Sequence, residues 1–205
     1  MGISINKIIK ILISADLLFM TASGFIAPIF AIFLVQSIEG GTIQLAGTAV
    51  AIYWLTKSIL RIPIAYYLDK KRGEWDDFYA MIAGFSIYTI AFFLYALAQS
   101  PFHIYGIQFF MGIGGALAFT PWYGFFTRHI DRYHENLEWG LEISFVGFGI
   151  ALSGFFAGFI AERYGFVPLF IIAGTLSFIG TIILLLVRKN LEIKREDGYI
   201  KKIKE

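Results

Sequence analysis

Hydrophobic positions along the chain fall into six long blocks, at residues 8–35, 42–68, 78–98, 102–127, 137–161 and 166–187. Each block holds roughly 21 to 28 residues, and about 20 mostly apolar residues suffice for a helix to cross a bilayer. The polar links between blocks are short: "QSIEGG", "DKKRGEWDD", "QSP", "RHIDRYHEN" and "ERYG". Backbone amides in lipid must bond within their own segment, so the pattern predicts six transmembrane helices rather than strands. The expected fold is all-α and integral to the membrane: a six-helix domain over residues 1–190, followed by a basic cytoplasmic tail over residues 191–205.

Composition sharpens this picture. Of the 205 residues, 58% are hydrophobic and 16% are charged, and phenylalanine alone occurs 22 times. The mean hydropathy is +0.70. The absence of cysteine excludes disulfides, zinc thiolate sites and thiol nucleophiles. Asp16 interrupts the first block, which continues to about Val35 and is too long for a signal-peptide core. With both termini on one side, every lysine and arginine outside the spans lies on that side except Arg163, while Lys57 and Arg61 fall inside a span. That bias predicts cytoplasmic termini in a cell (plasma or inner) membrane.

The chain also echoes itself. "AYYLDK" ends the second span and "GFIAER" the fifth; Gly73 and Gly165 follow. Pro28 precedes Asp69 by 41 residues, and Pro121 precedes Glu162 by 41. Two three-helix units three spans apart face opposite ways across the membrane, so inverted repeats are expected at about residues 8–98 and 102–187, with Pro28 and Pro121 at matching positions. Gly140, Ser144, Gly147, Ala151, Gly154 and Gly158 line one face of span 5, a small-residue surface that lets another backbone approach. Gly24 and Gly112 are further candidates for helix packing or gating. Gln108, Gly112, Gly115, Phe119 and Trp122 share a face of span 4; it either looks into a cavity or packs against a neighbouring helix.

Charge inside a span is costly, about 2.5–3.5 kcal/mol at a helix centre on insertion scales, so each such residue needs a partner or water. At about 1.5 Å of rise per residue, Arg61 lies roughly 12 Å from Asp69 and Asp16 roughly 9 Å from Lys10. Similar depth on adjacent spans predicts an Asp16–Arg61 pair. Lys57, one turn deeper than Arg61, comes near the midplane and is the candidate charge facing a substrate. Its cationic face suits an anionic or carboxylate-bearing molecule, and a structural ion pair with a snorkelling lysine is the competing reading. Glu142 is expected at the interface.

Six spans, same-side termini and an acid–base–glycine loop between spans 2 and 3 resemble one half of a major facilitator superfamily transporter. The family's loop signature, Gly-x-x-x-Asp-Arg/Lys-x-Gly, is similar to Ala65-x-x-x-Asp69-Lys70-Lys71-Arg72-Gly73, with alanine at the first glycine and the second arriving one residue late. Its span 4 signature, Arg-x-x-x-Gly-x-x-x-Ala, resembles Gln108-x-x-x-Gly112-x-x-x-Ala116 without the arginine that the family associates with proton coupling. Its span 5 signature resembles Gly149-x-x-x-Ser153-Gly154-x-x-Ala157-Gly158 without the proline. The resemblance implies a cytoplasmic latch of Asp69 with Arg128, to which Lys70, Gly73 and Asp131 belong. It also implies a small-molecule substrate and a second six-helix half around the central cavity, expected to be another copy of the chain in parallel. A separate half, or a six-span scaffold that no longer transports, is the alternative; the missing arginine and proline speak for the latter.

No phosphate loop, HExxH motif or nucleophilic triad occurs, so neither an enzyme nor a nucleic-acid partner is expected. His129 and His134 are five apart, which suits one helix face poorly, and they read as part of a solvated loop; no metal or cofactor is expected. The candidate pathway residues are therefore Asp16, Lys57, Arg61, Gln108 and Trp122.

Overall fold

The computed structural model describes residues 5–71, 73–194 and 200–202. Six helical spans are long and apolar enough to cross a membrane: Lys7–Ser37, Ile43–Lys70, Trp75–Tyr95, Pro101–His129, Glu135–Tyr164 and Val167–Asn190. Their ends follow local chemistry. Asn6, Thr42 and Ser100 cap the first turns of spans 1, 2 and 4 by accepting backbone N–H bonds. Span 5 stops at Gly165, whose φ of +79° suits glycine. Beyond span 6, Glu192–Lys194 pairs antiparallel with Ile200–Lys202; the rest of the tail expected at 191–205 lies largely outside the described residues.

The two prolines act differently. Pro28 lacks an amide hydrogen and sits in a 3₁₀ turn, Ala27–Ile29, that divides span 1 into Lys7–Ile26 and Phe30–Ser37. Pro121 lies inside span 4, which remains one helix from Pro101 to His129. The expected correspondence in position thus does not extend to a matching break.

Span 1 packs mainly on spans 5 and 6, span 4 on spans 2 and 3, and span 3 on span 6. This set of pairings maps onto itself when spans 1–3 are exchanged with spans 4–6. Spans 2 and 5 are the least buried, with 17% and 22% of their apolar windows inside the bundle. Phe19, Phe85, Tyr88 and Phe119 form an edge-to-face aromatic cluster joining spans 1, 3 and 4. A hydrogen bond of 2.8 Å between the Thr89 and Ser177 hydroxyls ties span 3 to span 6.

Lipid tails are as apolar as the side chains, so close packing has to hold the helices together. Glycines provide it. A Cβ on Gly84 would meet the Gly114 carbonyl oxygen at 2.6 Å and the Ala118 backbone. One on Gly112 would meet Thr56 at 2.6 Å. One on Gly24 would collide with Ser153, across the span 1–span 5 contact. The expected packing face of span 5 is corrected. Its buried positions are Glu138, Glu142, Val146, Gly149, Ser153 and Ala157, whereas Gly140, Gly147 and Gly158 have open space at Cβ and Gly154 has only the Gly24 carbonyl at 4.0 Å. The small stripe turns away from span 1.

Gly84→Val is expected to lower the thermal unfolding midpoint in detergent by an amount equivalent to about 1–3 kcal/mol or more, since backbone cannot yield to the added carbons. Gly106→Ala, where nothing lies within 4 Å of the new atom, leaves the midpoint near that of the parent.

Candidate functional site

A cavity of about 530 Å³ lies between spans 1, 2, 3 and 4. Span 1 contributes Phe19, Ser23 and Ala27, the last from its 3₁₀ turn; span 2 contributes Tyr53, Trp54 and Lys57. Span 3 adds Tyr88 and Phe92, and span 4 adds Gln108, Phe119 and Tyr123. Most of these groups are apolar or aromatic, with a few convergent polar atoms, the usual make-up of a small-molecule pocket.

Lys57 is the cation of this cavity. It is the fifteenth of the 28 residues of span 2, at mid-depth, and is 9% exposed. Its ammonium donates to the Tyr53 hydroxyl at 3.0 Å, and that hydroxyl bonds in turn to the Tyr88 hydroxyl. Its Nζ stands 4.9 Å from the centre of the Trp54 ring and 4.7 Å from that of Phe119. The fit depends on Gly115, because a Cβ there would come within 3.1 Å of Lys57 Cδ and 2.9 Å of the Tyr88 hydroxyl. Among the described residues, no carboxylate lies within 4.0 Å of the ammonium.

A second polar group lies nearer the side that carries the chain ends. Asp16 is 4% exposed and sits beside Glu142, not Arg61. Arg61 instead lies over the Tyr123 ring, 5.3 Å from its centre. Both carboxyls are near enough to act electrostatically on Tyr123. The expected Asp16–Arg61 pair is thus replaced by a four-span cluster of Asp16, Arg61, Tyr123 and Glu142. Depth was readable from helix rise; rotation was not, and the Asp16 side chain turns toward span 5. Glu142, expected at the interface, is buried.

Gln108 lines the cavity as its helix face suggests. Trp122 does not. It stacks on Phe126 and meets Trp139 of span 5 edge-on. Tyr123, four residues beyond Phe119, reaches the cavity instead of Trp122. The residues missed from sequence are Tyr53, Tyr88 and Tyr123; only the turn-spacing of Tyr53 and Lys57, at i and i+4, could have pointed to the first.

The loop facing the chain ends is braced by a different acid from the one expected. Arg128 pairs with Asp77, in the first turn of span 3, and not with Asp69. Asp69 is close enough to act on Asp77. Asp69 lies in the last turn of span 2 with its side chain exposed, so the acid eight residues later takes the guanidinium. His129 adds a 3.4 Å contact to Glu74. Asp131 accepts the Asn6 amide at 3.0 Å, and Asn6 donates to the His129 carbonyl at 3.2 Å, which ties the start of span 1 to the end of span 4. Lys70 is exposed, its ammonium over the Tyr66 ring, and Gly73 has open space at Cβ.

A family model described as the Major Facilitator Superfamily matches residues 12–204. Two uncharacterised MFS-type transporters of Mycobacterium tuberculosis, from strains CDC 1551 / Oshkosh and ATCC 25618 / H37Rv, are each 26% identical over 129 residues, covering 62% of this chain. The chain spans about a third of those relatives, 31% of each. Among solved structures, a POT family transporter, PepTSo, aligns with a TM-score of 0.65 and 19% identity, over 91% of this chain and 38% of that one. An auto-inhibited POT family peptide transporter aligns with a TM-score of 0.67 and 17% identity, over 90% and 37%. At those identities the likeness is one of fold.

Asp77→Asn is expected to lower the thermal midpoint by the equivalent of about 1 kcal/mol, a modest value because Arg128 is 41% exposed. Asp69→Asn leaves it within error. Equal losses in both variants contradict the Asp77 assignment.

Proposed function

The chain belongs to the major facilitator superfamily, and on that premise we propose that it is one six-helix half of a carrier that moves a small solute by alternating access. The observation that carries this reading is the mid-depth cavity with a buried, carboxylate-free lysine in its wall. A cation at that depth serves little purpose in a static bundle and marks a substrate path in a transporter. Lys57 and Gln108 are the proposed solute contacts from the sequence reading, joined by Tyr53 and Tyr88. The Arg128–Asp77 pair, with Asp69 and Asp131 nearby, is the proposed latch on the cytoplasmic face.

The self-mapping of the packing pairs supports inverted repeats at about residues 8–98 and 102–187. In that arrangement spans 2 and 5 are counterparts, and they are also the two least buried. Their exposed sides carry large apolar groups, including Leu55, Ile59 and Ile62 on span 2 and Phe148 and Phe155 on span 5. The small stripe of span 5 lies on its outward side as well. These faces suit a second six-helix bundle, and we propose a parallel copy of this chain as that bundle. The lysine and arginine bias supports cytoplasmic termini in either copy and favours the parallel arrangement. A separate six-span chain on the same faces, or a scaffold without transport, is the competing reading, favoured by Gln108 in place of the family's arginine.

With no native cysteine, chains carrying Ile59→Cys and Phe148→Cys can be co-expressed and oxidised in membranes. A disulfide-linked dimer is expected, and liposomes holding it are expected to show saturable solute exchange after reduction. Cross-linking no stronger than between chains carrying Phe178→Cys, on span 6, contradicts the dimer. Absence of exchange across a broad solute screen contradicts the carrier.

A further inference from the structure

We infer that the cavity takes a small organic monoanion, a carboxylate on an apolar body, with the carboxylate against Lys57 Nζ and the body against Trp54 and Phe119. This rests on the carrier reading for its purpose, but the ligand chemistry follows from the pocket itself. An ammonium has three N–H donors. Tyr53 accepts one of them. The other two have no hydrogen-bond acceptor among the described residues, and the nearby Trp54 and Phe119 rings attract a cation without accepting a conventional hydrogen bond or neutralising its charge. A buried lysine in lipid therefore has room, in geometry and in charge, for one anionic acceptor. The hydroxyl chain from Lys57 through Tyr53 to Tyr88 fixes the side-chain position before a ligand arrives.

Charge elsewhere limits the ligand to a single negative group. The next cation along span 2, Arg61, does not line the cavity; it lies over the Tyr123 ring beyond its wall and has Asp16 and Glu142 nearby. A second anionic group reaching toward that end of the cavity would find a guanidinium already engaged by Tyr123, and among the described residues that line the cavity Lys57 is the one cation. A dianion is thus opposed where a monoanion is not. The remaining wall, with Phe19, Ile26, Phe92 and Met111, offers apolar surface and few donors, so the rest of the ligand is apolar. Gln108 and Ser23 are polar side chains left to read one further group on it.

Trp54 lies in the wall, so intrinsic fluorescence reports occupancy directly. The purified chain in lipid nanodiscs is titrated with benzoate, 3-phenylpropionate and octanoate, each beside the amine and the alcohol of the same body. Saturable quenching, accompanied by a raised thermal midpoint, is expected for at least one carboxylate. Its amine and alcohol are expected to bind at least tenfold more weakly. Lys57→Met should weaken that carboxylate by about tenfold to a hundredfold, the loss of one charge-assisted contact. Lys57→Arg should keep the preference for the carboxylate, which separates lost charge from lost fold. Trp54→Phe should remove the quenching while the shift in midpoint remains. No binding by any of the three carboxylates, equal binding by an amine or alcohol, or Lys57→Met binding like the parent overturns the assignment. Lys57-dependent carboxylate binding without solute exchange in liposomes would sink the carrier reading and leave the ligand class standing. Solute exchange that persists unchanged in Lys57→Met would do the reverse.

Discussion

Close approach of helix backbones at a few glycines is the constraint on which this structure rests. In a bilayer the solvent is as apolar as the side chains, and burying leucine against leucine gains little over burying it in lipid. What remains is dispersion between well-fitted surfaces and a small number of internal hydrogen bonds. Gly84 against Gly114 and Ala118, Gly112 against Thr56, and Gly24 against Ser153 set the helix separations in each half of the bundle. The same device makes the site. Gly115 leaves the space through which the Lys57 side chain runs, so the contact between spans 2 and 4 both packs the fold and admits a cation to its middle. Packing and function cannot be altered independently at that position.

The polar groups are arranged in layers along the membrane normal. Lys57, Tyr53 and Tyr88 lie at mid-depth, and Asp16, Arg61, Tyr123 and Glu142 lie closer to the chain ends. The Arg128–Asp77 pair and the Asn6–Asp131 contacts sit at the edge. Spans 1, 2 and 4 contribute to the inner two layers, with span 3 adding Tyr88 and span 5 adding Glu142, while span 6 contributes to neither. A rearrangement that moved spans 2 and 5 relative to spans 1 and 4 would therefore change the cation, the carboxyls and their aromatic partners together. That is the physical content of the proposal that the cavity is a pathway.

Much of the fold was legible because the bilayer sets a length that sequence can count. Six apolar blocks became six spans, and Pro28 marked a real break. Depth was legible for the same reason, since helix rise converts residue number into height. Rotation was not. Asp16 and Arg61 share a level, yet one turns to span 5 and the other to Tyr123. Trp122 and Phe119 share a helix face by spacing, yet only Phe119 reaches the cavity. The small-residue stripe of span 5 was visible, but its partner was not, because periodicity shows which residues share a face and never which neighbour that face meets. The Arg128 brace was legible as a charge pair implied by the resemblance; which of two nearby acids closes it depended on rotation again, since Asp69 is exposed on the last turn of span 2.

Alternating access itself is tested most directly from the cavity wall. Ser23 lines the cavity, and a cysteine there would be the sole one in the chain. Vesicles of known orientation carrying Ser23→Cys are exposed to a membrane-impermeant maleimide, from one side and then the other. The account predicts labelling from both sides, with the ratio of the two rates shifting when a carboxylate ligand is added. Labelling from one side alone, unchanged by any ligand, would contradict it.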